Sequence, residues 1–545
     1  MKNPAIRHWD DETRLVAGLA ACVSLIAFLV YFGRGQILFY GDAVAHINIA
    51  RRVFDSRTPG PLQLGTVWLP LPHILMMLFL ISDTAWSSGV GGSIPSLACY
   101  GFSVVGMFRL VRGVLSIQSV AKVNERIAAW VAAIIFAANP NLLYLQSTAL
   151  TEPLYLAFFL WAVVYFSEFV QALKTDEPNR RSLVKCGVCL AAACLTRYDG
   201  WFLAVVMCAL ATFLVWRSTG IRSVISNSGL RKFVLIAAAA PVLWLVYNAV
   251  IYRNPLEFAN GPYSAKAIEQ RTATPGAPAH PGAGNLPVAA SFFVKAGELN
   301  LMLSNWHRLW LALALLGTAT VLLFDRRLGP LLLLWSPLPF YTLSIAHGGV
   351  PIFLPPWWPH SYYNVRYGIE LLPVFAVFVA LAVFWGMEFF RGPISRWIAL
   401  GAVGILIVGS YTTALHQEPI SFSEGRVNSR TRIALETELA THLRRLPRQS
   451  SILMYLGDRG GALQRAGIPI RRIIYEGNHR TWMQPSDPDG LWEHALANPS
   501  EYADYVIAME HDAVDAAANK AGLKPLVIIH VDGQPQAAIY QTRQP

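Results

Sequence analysis

Acidic and cationic side chains stand at the ends of long apolar runs in this 545-residue chain. The stretch GDAVAHINIARR holds Asp42 and, four residues later, His46, which would share one face of a helix. A carboxylate at a water–lipid boundary with cations nearby can act as a general base. Asp42 could equally cap a helix that begins at Ala43. Arg51 and Arg52 follow on the same predicted helix and are candidate ligands of a phosphate.

Two further motifs place charged residues beside apolar runs. Glu152 opens the run ALTEPLYLAFFLW, where it is either an ordinary first-turn partner of the helix dipole or an acid that faces a helix bundle. The motif TRYDG holds Arg197, which either pairs locally with Asp199 or presents its guanidinium to a phosphate. Both alternatives stay open in each motif.

A late loop, PPWWPHSYYNVRYGIELLP, has the Trp and Tyr content of a membrane-interface belt. A belt does not explain His360, Arg366 or Glu370 in the same loop. Arg366 is a cation directly before an apolar run, and we predict that it binds a phosphate.

These residue types suit the cleavage of a bond between a sugar and a lipid phosphate. Cations offset the charge that develops on the leaving phosphate, and a carboxylate accepts the proton of the attacking hydroxyl. A transporter or flippase of lipid-linked sugars is the alternative, although transporters usually hold such residues near the bilayer midplane. No cofactor is predicted. A divalent cation remains possible if the first loop folds over the bundle, with four candidate ligands: Asp42, His46, His73 and Glu152.

The elements that position these residues are predicted to be membrane helices. The chain is 54% hydrophobic and 14% charged, against roughly 25% charged residues in soluble domains. A helix needs about 20 apolar residues to span a bilayer. On that criterion we predict about eleven spans, near 15–33, 93–111, 127–146, 152–170, 184–196, 201–216, 233–251, 302–323, 329–346, 368–389 and 397–415.

Loop charge predicts the orientation of these spans. Every second loop is rich in Lys and Arg and should face the cytoplasm, which puts the N-terminus inside. The loop 34–92, the loop 347–367 and the tail then face outward. The segment Trp68–Ile81 is too short for a span and holds two prolines, so we read it as interfacial or re-entrant, with a short true span as the alternative. Orientation also explains the net charge of +11, without any nucleic-acid partner.

The chain divides into a membrane domain, residues 1–416, and a tail domain, residues 417–545. The tail alternates predicted helices and strands and should form a small α/β domain. Its predicted helices are Thr431–Leu446 and Asp512–Ala521, and its predicted strands are Ser451–Leu456, Arg471–Tyr475, Tyr505–Ala508 and Leu526–Val531. The loop 252–301 holds the stretch ATPGAPAHPGAGNLP, which is rich in Pro, Gly and Ala and is predicted to be a flexible cover or linker.

The order of these motifs resembles the GT-C superfamily of membrane glycosyltransferases, in the branch of protein O-mannosyltransferases and lipid A aminoarabinose transferases. An Asp follows the first span, an acid starts the fourth in LTEPLYLAFF, and LTRYDGWFL and RYGIELLPVF follow in sequence. The resemblance implies a polyprenyl-phosphate sugar donor and an acceptor that is a lipid, a glycan or a protein. Transfer would take place on the extracytoplasmic side of a bacterial inner membrane. By position, Asp42 would be the base, Glu152 a second catalytic acid, and Arg366, Tyr367 and Arg197 would lie near the donor phosphate.

Three departures limit the resemblance. O-mannosyltransferases carry an Asp-Glu pair in the first loop, whereas Ala43 follows Asp42 here. The loop 252–301 is too short for a β-trefoil insertion, and no WWD-type motif is seen. Protein O-mannosylation is therefore not specifically predicted, and oligosaccharide transfer to Asn is disfavoured.

Overall fold

The structure is a computed structural model that describes residues 10–116, 122–174, 180–262, 264, 267, 279–302, 306–323, 326–390, 392–457, 459–478 and 487–542. Within these ranges, eight helical segments are long and apolar enough to cross a membrane. They are Asp11–Gly33, Val90–Leu115, Glu152–Leu173, Asp199–Thr219, Ser228–Tyr252, Leu328–Ala346, Val365–Phe389 and Arg396–Leu443. The last of these consists of two consecutive helices, Pro393–His416 and Ile420–Leu443.

The other three predicted spans coincide with shorter helices. These are Lys122–Ala137, Arg180–Cys194 and His307–Leu323. The predicted span 127–146 is broken after Ala137, because Asn139 caps a separate short helix, Pro140–Leu145, by accepting a hydrogen bond from the backbone N–H of Leu142. The polytopic helical fold is confirmed, whereas the number of helices that cross the bilayer stays a prediction.

The loop 34–92 consists of short helices; we call it the first outer loop because loop charge predicts that it faces outward. A juxtamembrane helix, Gly41–Arg52, is followed by a 3-10 turn at Pro61–Leu64, a helix at Leu71–Met77 that continues as a 3-10 turn to Leu80, and a helix at Asp83–Ser87. The ten residues from Leu71 to Leu80 rise about 15 Å, half of a bilayer core of about 30 Å. The segment is thus too short to span as a straight helix, in keeping with the interfacial interpretation.

The loop 252–301 contains helices before and after its Pro/Gly/Ala-rich stretch. A four-turn helix, Leu286–Leu301, occupies its second half, after a short helix at Glu257–Asn260. Asn285 caps the longer helix and Pro287 lies in its first turn, where a proline has no hydrogen bond to lose. Residues 268–278, the rest of the Pro/Gly/Ala-rich stretch, lie outside the described residues.

The tail is an α/β unit, as predicted, and its sheet has five strands. Its strands are β1 Ile452–Met454, β2 Ile473–Ile474, β3 Tyr505–Met509, β4 Pro525–Ile529 and β5 Ala537–Gln541. Their order is β2-β1-β3-β5-β4, with parallel pairing among the first three and antiparallel pairing of β5 to both neighbours. β5 was not predicted, and the helix expected at Thr431 starts eleven residues earlier, at Ile420.

The tail sheet lies against the first outer loop. The Tyr475 hydroxyl donates to the Gln63 side chain at 2.6 Å, and Arg471 pairs with the buried Asp55 at 2.9 Å. The helix Ile420–Leu443 joins the last apolar helix to the sheet; we call it the bridging helix. The tail therefore packs against the segment that follows the juxtamembrane helix, and the bridging helix reaches the candidate site described next.

Candidate active site

Three helices begin at one place, each with an acid in its first turn. Asp42 lies in the first turn of the juxtamembrane helix, Glu152 starts Glu152–Lys174, and Asp199 starts Asp199–Thr219. Acids are stabilised at helix N-termini, where backbone N–H groups carry partial positive charge. For Glu152 both interpretations hold, since it lies in the first turn of its helix and also faces the bundle. Asp42 does not cap a helix that begins at Ala43, because the helix begins at Gly41 and Tyr40 occupies the cap position.

Arg366 lies at the centre of the cluster. Its Nε donates to Oε1 of Glu152 at 3.0 Å, and its Nη2 donates to Oδ2 of Asp42. Its backbone N–H donates to Glu424 at 3.1 Å, and Nη1 lies 3.6 Å from the same carboxylate. The predicted base and the predicted phosphate ligand are therefore in direct contact on the same side of the bundle.

Arg197 forms the second half of the cluster. Its guanidinium contacts Glu152 at 3.4 Å, Asp199 at 3.2 Å and Glu370 at 3.2 Å. The Tyr341 hydroxyl lies 2.6 Å from Nη2 of Arg197 and donates to Glu370 at 2.8 Å. The local Arg197–Asp199 pair that the sequence suggested exists, but it is one part of a larger network.

Aromatic rings and burial complete the cluster's surroundings. The Tyr367 ring lies beneath both guanidinium groups, 4.4 Å from Arg197 and 4.9 Å from Arg366, and Tyr40 lies 4.8 Å from Arg366. Such contacts favour a cation over the ring face. Five carboxylates surround two guanidiniums, so the cluster holds an excess of acids that the helix N-termini help to stabilise.

Two members of this network were missed in the sequence. Glu424 lies in the second turn of the bridging helix, and Tyr341 lies inside a predicted apolar span. The one available signal for Glu424 was its setting between small residues in SFSEG. A Cβ on Gly425 would come within 3.0 Å of the Tyr144 hydroxyl, so the glycine permits a close approach.

His46 and His73 form a buried pair one helical turn from Asp42. Nδ1 of His46 lies 2.9 Å from Nε2 of His73, and the His46 ring contacts Trp68. Burial lowers the pKa of His46 to about 4 and lowers the pKa of His73 well below its usual value. Both rings are therefore neutral at pH 7 and share one N–H···N hydrogen bond.

The remaining predicted site residues lie outside the cluster. Arg51 is buried and binds Asp55 and Asp83, as well as the carbonyl of Ile81 at 3.0 Å. Arg52 donates to the carbonyl of Gln63 at 2.6 Å, toward the interface of loop and tail. His360 is exposed on the late loop, with Nδ1 3.0 Å from the carbonyl of Pro355.

The described side chains contain no group of three or more His, Cys, Asp and Glu residues that could hold a metal ion. Of the four candidate ligands, His46 and His73 face each other, while Asp42 and Glu152 bind Arg366. The prediction that no cofactor is needed stays a prediction.

An apolar groove of about 780 Å³ runs along the bundle between helices that also carry cluster residues, although no cluster residue lines it. It follows the helix that starts at Asp199 from Phe202 to Leu214, about 18 Å at 1.5 Å per residue. The groove also includes Leu338 and Pro339, which precede Tyr341 by two to three residues. The groove is lined by Phe166, Val170, Phe202, Val206, Leu210, Leu214, Gly329, Pro330, Leu332, Leu333, Trp335, Ser336, Leu338 and Pro339.

Comparison with solved structures connects this arrangement to a known fold. ArnT from Cupriavidus metallidurans bound to undecaprenyl phosphate superposes with a TM-score of 0.56, at 13% identity, over 96% of this chain and 97% of that chain. The apo form of the same protein gives a TM-score of 0.57, at 12% identity and the same coverage. The chain has a GT-C fold. The resemblance drawn from the motifs is thereby confirmed at the level of the fold.

A sequence comparison matches part of the chain to a protein family. Residues 108–253 match the family model of dolichyl-phosphate-mannose-protein mannosyltransferase, a range that includes Glu152 and Arg197. No curated protein matches the sequence. The oligosaccharyltransferase of Archaeoglobus fulgidus, tethered with an acceptor peptide, aligns at a TM-score of 0.47 and 11% identity over 99% of this chain and 74% of that chain.

Proposed function

We propose that this chain is a membrane glycosyltransferase that moves a sugar from a polyprenyl-phosphate carrier to a hydroxyl acceptor outside the cytoplasm. The observation that carries the proposal is the acid–arginine cluster at the start of the helix Asp199–Thr219, whose following turns line an apolar groove. A polyprenyl-phosphate sugar has the complementary form, since a long apolar chain ends in a charged phosphate that bears the sugar.

The groove and the arginines divide the recognition of the donor between them. The isoprenoid chain lies in the groove, whose walls are almost entirely apolar side chains. The phosphate binds Arg366, since guanidinium–phosphate pairs are strong and directional. ArnT of Cupriavidus metallidurans, which shares the fold, binds undecaprenyl phosphate. A lipid-phosphate donor is therefore a reasonable assignment for this chain.

The chemistry needs one base and one cation. The acceptor hydroxyl oxygen attacks C1 of the sugar and forms a new glycosidic bond, while the bond from C1 to the phosphate oxygen breaks. The electron pair of that bond goes to the phosphate, where the Arg366 guanidinium offsets the developing charge. Asp42 accepts the acceptor's proton. A direct displacement of this kind inverts the configuration at C1.

Asp42 suits the role of base better than its neighbours do. Its side chain is 41% exposed, whereas the side chains of Glu152 and Glu424 are 1% and 2% exposed. An acceptor from the aqueous side can reach Asp42 without entering the bundle. Glu152 touches both arginines and acts by positioning them.

Loop charge supports an extracytoplasmic position for the cluster. The family resemblance supports a bacterial inner membrane, with a lipid, a glycan or a protein as the source of the hydroxyl. The tail sheet lies against the loop that carries Asp42, so it borders the path of an incoming acceptor.

A genetic test identifies the transferred sugar and the acceptor together. The gene is deleted in its host and restored as wild type, as Asp42→Asn or as Glu418→Gln, and envelope lipids, glycans and proteins are compared by mass spectrometry. Glu418 is a matched acidic control, since it also pairs with an arginine but lies on the surface.

We expect one sugar modification to disappear on deletion and to return with wild type and with Glu418→Gln. Asp42→Asn should not restore it, although equal amounts of protein reach the membrane. Restoration by Asp42→Asn would remove Asp42 from the mechanism. An envelope that is unchanged by deletion would argue against the proposed transfer itself.

A further inference from the structure

Arg366 has an inner side and an outer side. On the inner side, Nε binds Glu152 at 3.0 Å and the backbone N–H binds Glu424 at 3.1 Å, and both carboxylates are almost fully buried. On the outer side, Nη2 donates to Asp42, whose side chain is 41% exposed. The outer edge of the guanidinium is therefore occupied by the one acid of the cluster that reaches solvent.

Arg197 offers no comparable edge. Its Nε contacts Asp199 and Glu370, Nη1 contacts Glu152 and the Thr151 hydroxyl, and Nη2 contacts the Tyr341 hydroxyl. Four of the residues that the Arg197 guanidinium contacts are buried: Glu152, Asp199, Glu370 and Tyr341. Arg197 therefore balances buried acids, whereas a phosphate can bind Arg366 once Asp42 leaves.

We propose that the Asp42–Arg366 ion pair masks the base, and that the donor phosphate releases Asp42 by taking its place on Nη2 of Arg366. This inference rests on the proposed function and concerns the order of events at the same site. A carboxylate and a phosphate cannot both occupy one guanidinium edge, and two anions in contact repel each other. The phosphate therefore competes with Asp42.

Arg366 stays in place during the exchange. Glu152 and Glu424 retain its inner side, and the rings of Tyr40 and Tyr367 lie within 4.9 Å of its guanidinium carbon. Glu424 is thus a positioning residue supplied by the bridging helix. The freed Asp42 faces the aqueous side, so the base becomes available only after the donor has bound, and the acceptor reacts second.

The exchange makes a prediction opposite to that for an ordinary binding residue. Loss of the Asp42 charge should abolish transfer and yet strengthen the binding of the phosphate. The probe is a sugar-free C20 prenyl phosphate, titrated by calorimetry into the full-length protein in neutral detergent. We expect the Kd to fall about tenfold in Asp42→Asn, because no carboxylate has to be displaced. Asp42→Ala should behave alike, and Glu418→Gln should match wild type.

Salt separates direct competition from a general change of the local field. At about 0.5 M NaCl, long-range repulsion is screened within a few ångströms, whereas competition for one guanidinium edge persists. The affinity gain should survive at high salt. The proposed masking of Asp42 would be refuted if the gain in affinity disappeared at high salt. It would also be refuted if the Asp42 variants bound the prenyl phosphate as weakly as wild type or more weakly.

Failure of this inference differs from failure of the proposed function. Tight binding that is equal in all variants keeps the donor assignment and rejects the masked base. No binding of prenyl phosphate by wild type or by either Asp42 variant rejects both. Size-exclusion profiles equal to that of wild type confirm that each variant is folded before it is titrated.

Discussion

Replacement of Arg197 by methionine tests whether the buried part of the cluster is ionic. Methionine keeps much of the side-chain volume and removes the charge and all N–H donors. The change leaves three carboxylates without their shared cation: Glu152, Asp199 and Glu370, which are 1%, 2% and 0% exposed. Glu152 retains Arg366, so the loss falls mainly on the other two acids.

The expected magnitude follows from that burial. Removal of one partner from a buried ion pair typically costs about 3–5 kcal/mol, because the remaining charge is left uncompensated in a medium of low polarity. Arg426 provides the matched comparison. It pairs with Glu418 at 2.7 Å, a shorter distance than any contact between Arg197 and an acid, but the two side chains are 53% and 42% exposed. Exposed pairs contribute about 0–1 kcal/mol.

The assay is the free energy of unfolding in mixed detergent micelles, followed by circular dichroism as the denaturing detergent is increased. Arg197→Met should lose about 3–5 kcal/mol and Arg426→Met at most about 1 kcal/mol. A second change, Glu370→Gln, removes one of the stranded charges. The double variant Arg197→Met/Glu370→Gln should therefore recover part of the loss.

Equal stability losses in Arg197→Met and Arg426→Met would refute this reasoning. That result would mean that the buried acids are neutral in the folded protein and need no cation. A double variant that is less stable than Arg197→Met alone would show that Glu370 acts through its hydrogen bond with Tyr341, not through its charge.

Two further predictions concern the elements that hold the cluster. A Cβ on Gly368 would overlap the backbone of the helix Leu286–Leu301, so Gly368→Ala should lower the thermal midpoint and the transfer rate. Gly386→Ala is the control and should change neither, because there is open space where its Cβ would lie. Equal effects of both changes would contradict the packing. Acid should destabilise the protein between pH 6.5 and 4, because unfolded His46 takes up a proton that the buried ring, with a pKa of about 4, does not. The contribution of His46 over that interval is about 3 kcal/mol, and His73, whose pKa is also lowered by burial, acts in the same direction. The difference between the thermal midpoints at pH 7 and pH 5 should therefore become smaller in His46→Gln; an unchanged difference would exclude this origin.

The sequence was sufficient to identify the ionisable residues that are energetically costly in a membrane and therefore need a partner or a function. Asp42, Glu152, Arg197 and Arg366 stand at the edges of apolar runs, where an ionisable group is expensive unless it is paired or functional. The structure brings all four into one cluster. Motif spacing and hydropathy could predict the positions of these four residues because the ends of helices are determined by local sequence.

Partners from distant segments could not be inferred in the same way. Glu424 lies 58 residues beyond Arg366, and its role depends on how the bridging helix folds back onto the bundle. Arg51 and Arg52 are neighbours of like type, yet they point into different environments, one toward Asp55 and the other toward Gln63. The role of Glu424 and the different environments of Arg51 and Arg52 cannot be predicted from composition or periodicity, because both are determined by tertiary packing.

The central claim is that this cluster breaks the bond between a sugar and a lipid phosphate. The direct measurement is ³¹P NMR of synthetic polyprenyl-phosphate sugars in detergent, incubated with the purified protein and an envelope extract that supplies the acceptor. We predict that the phosphodiester signal of one donor gives way to the phosphomonoester signal of the free carrier with wild type and with Glu418→Gln, and that it persists with Asp42→Asn. Persistence of every donor with wild type, under conditions where prenyl phosphate binds, would contradict bond cleavage and favour transport of the lipid-linked sugar.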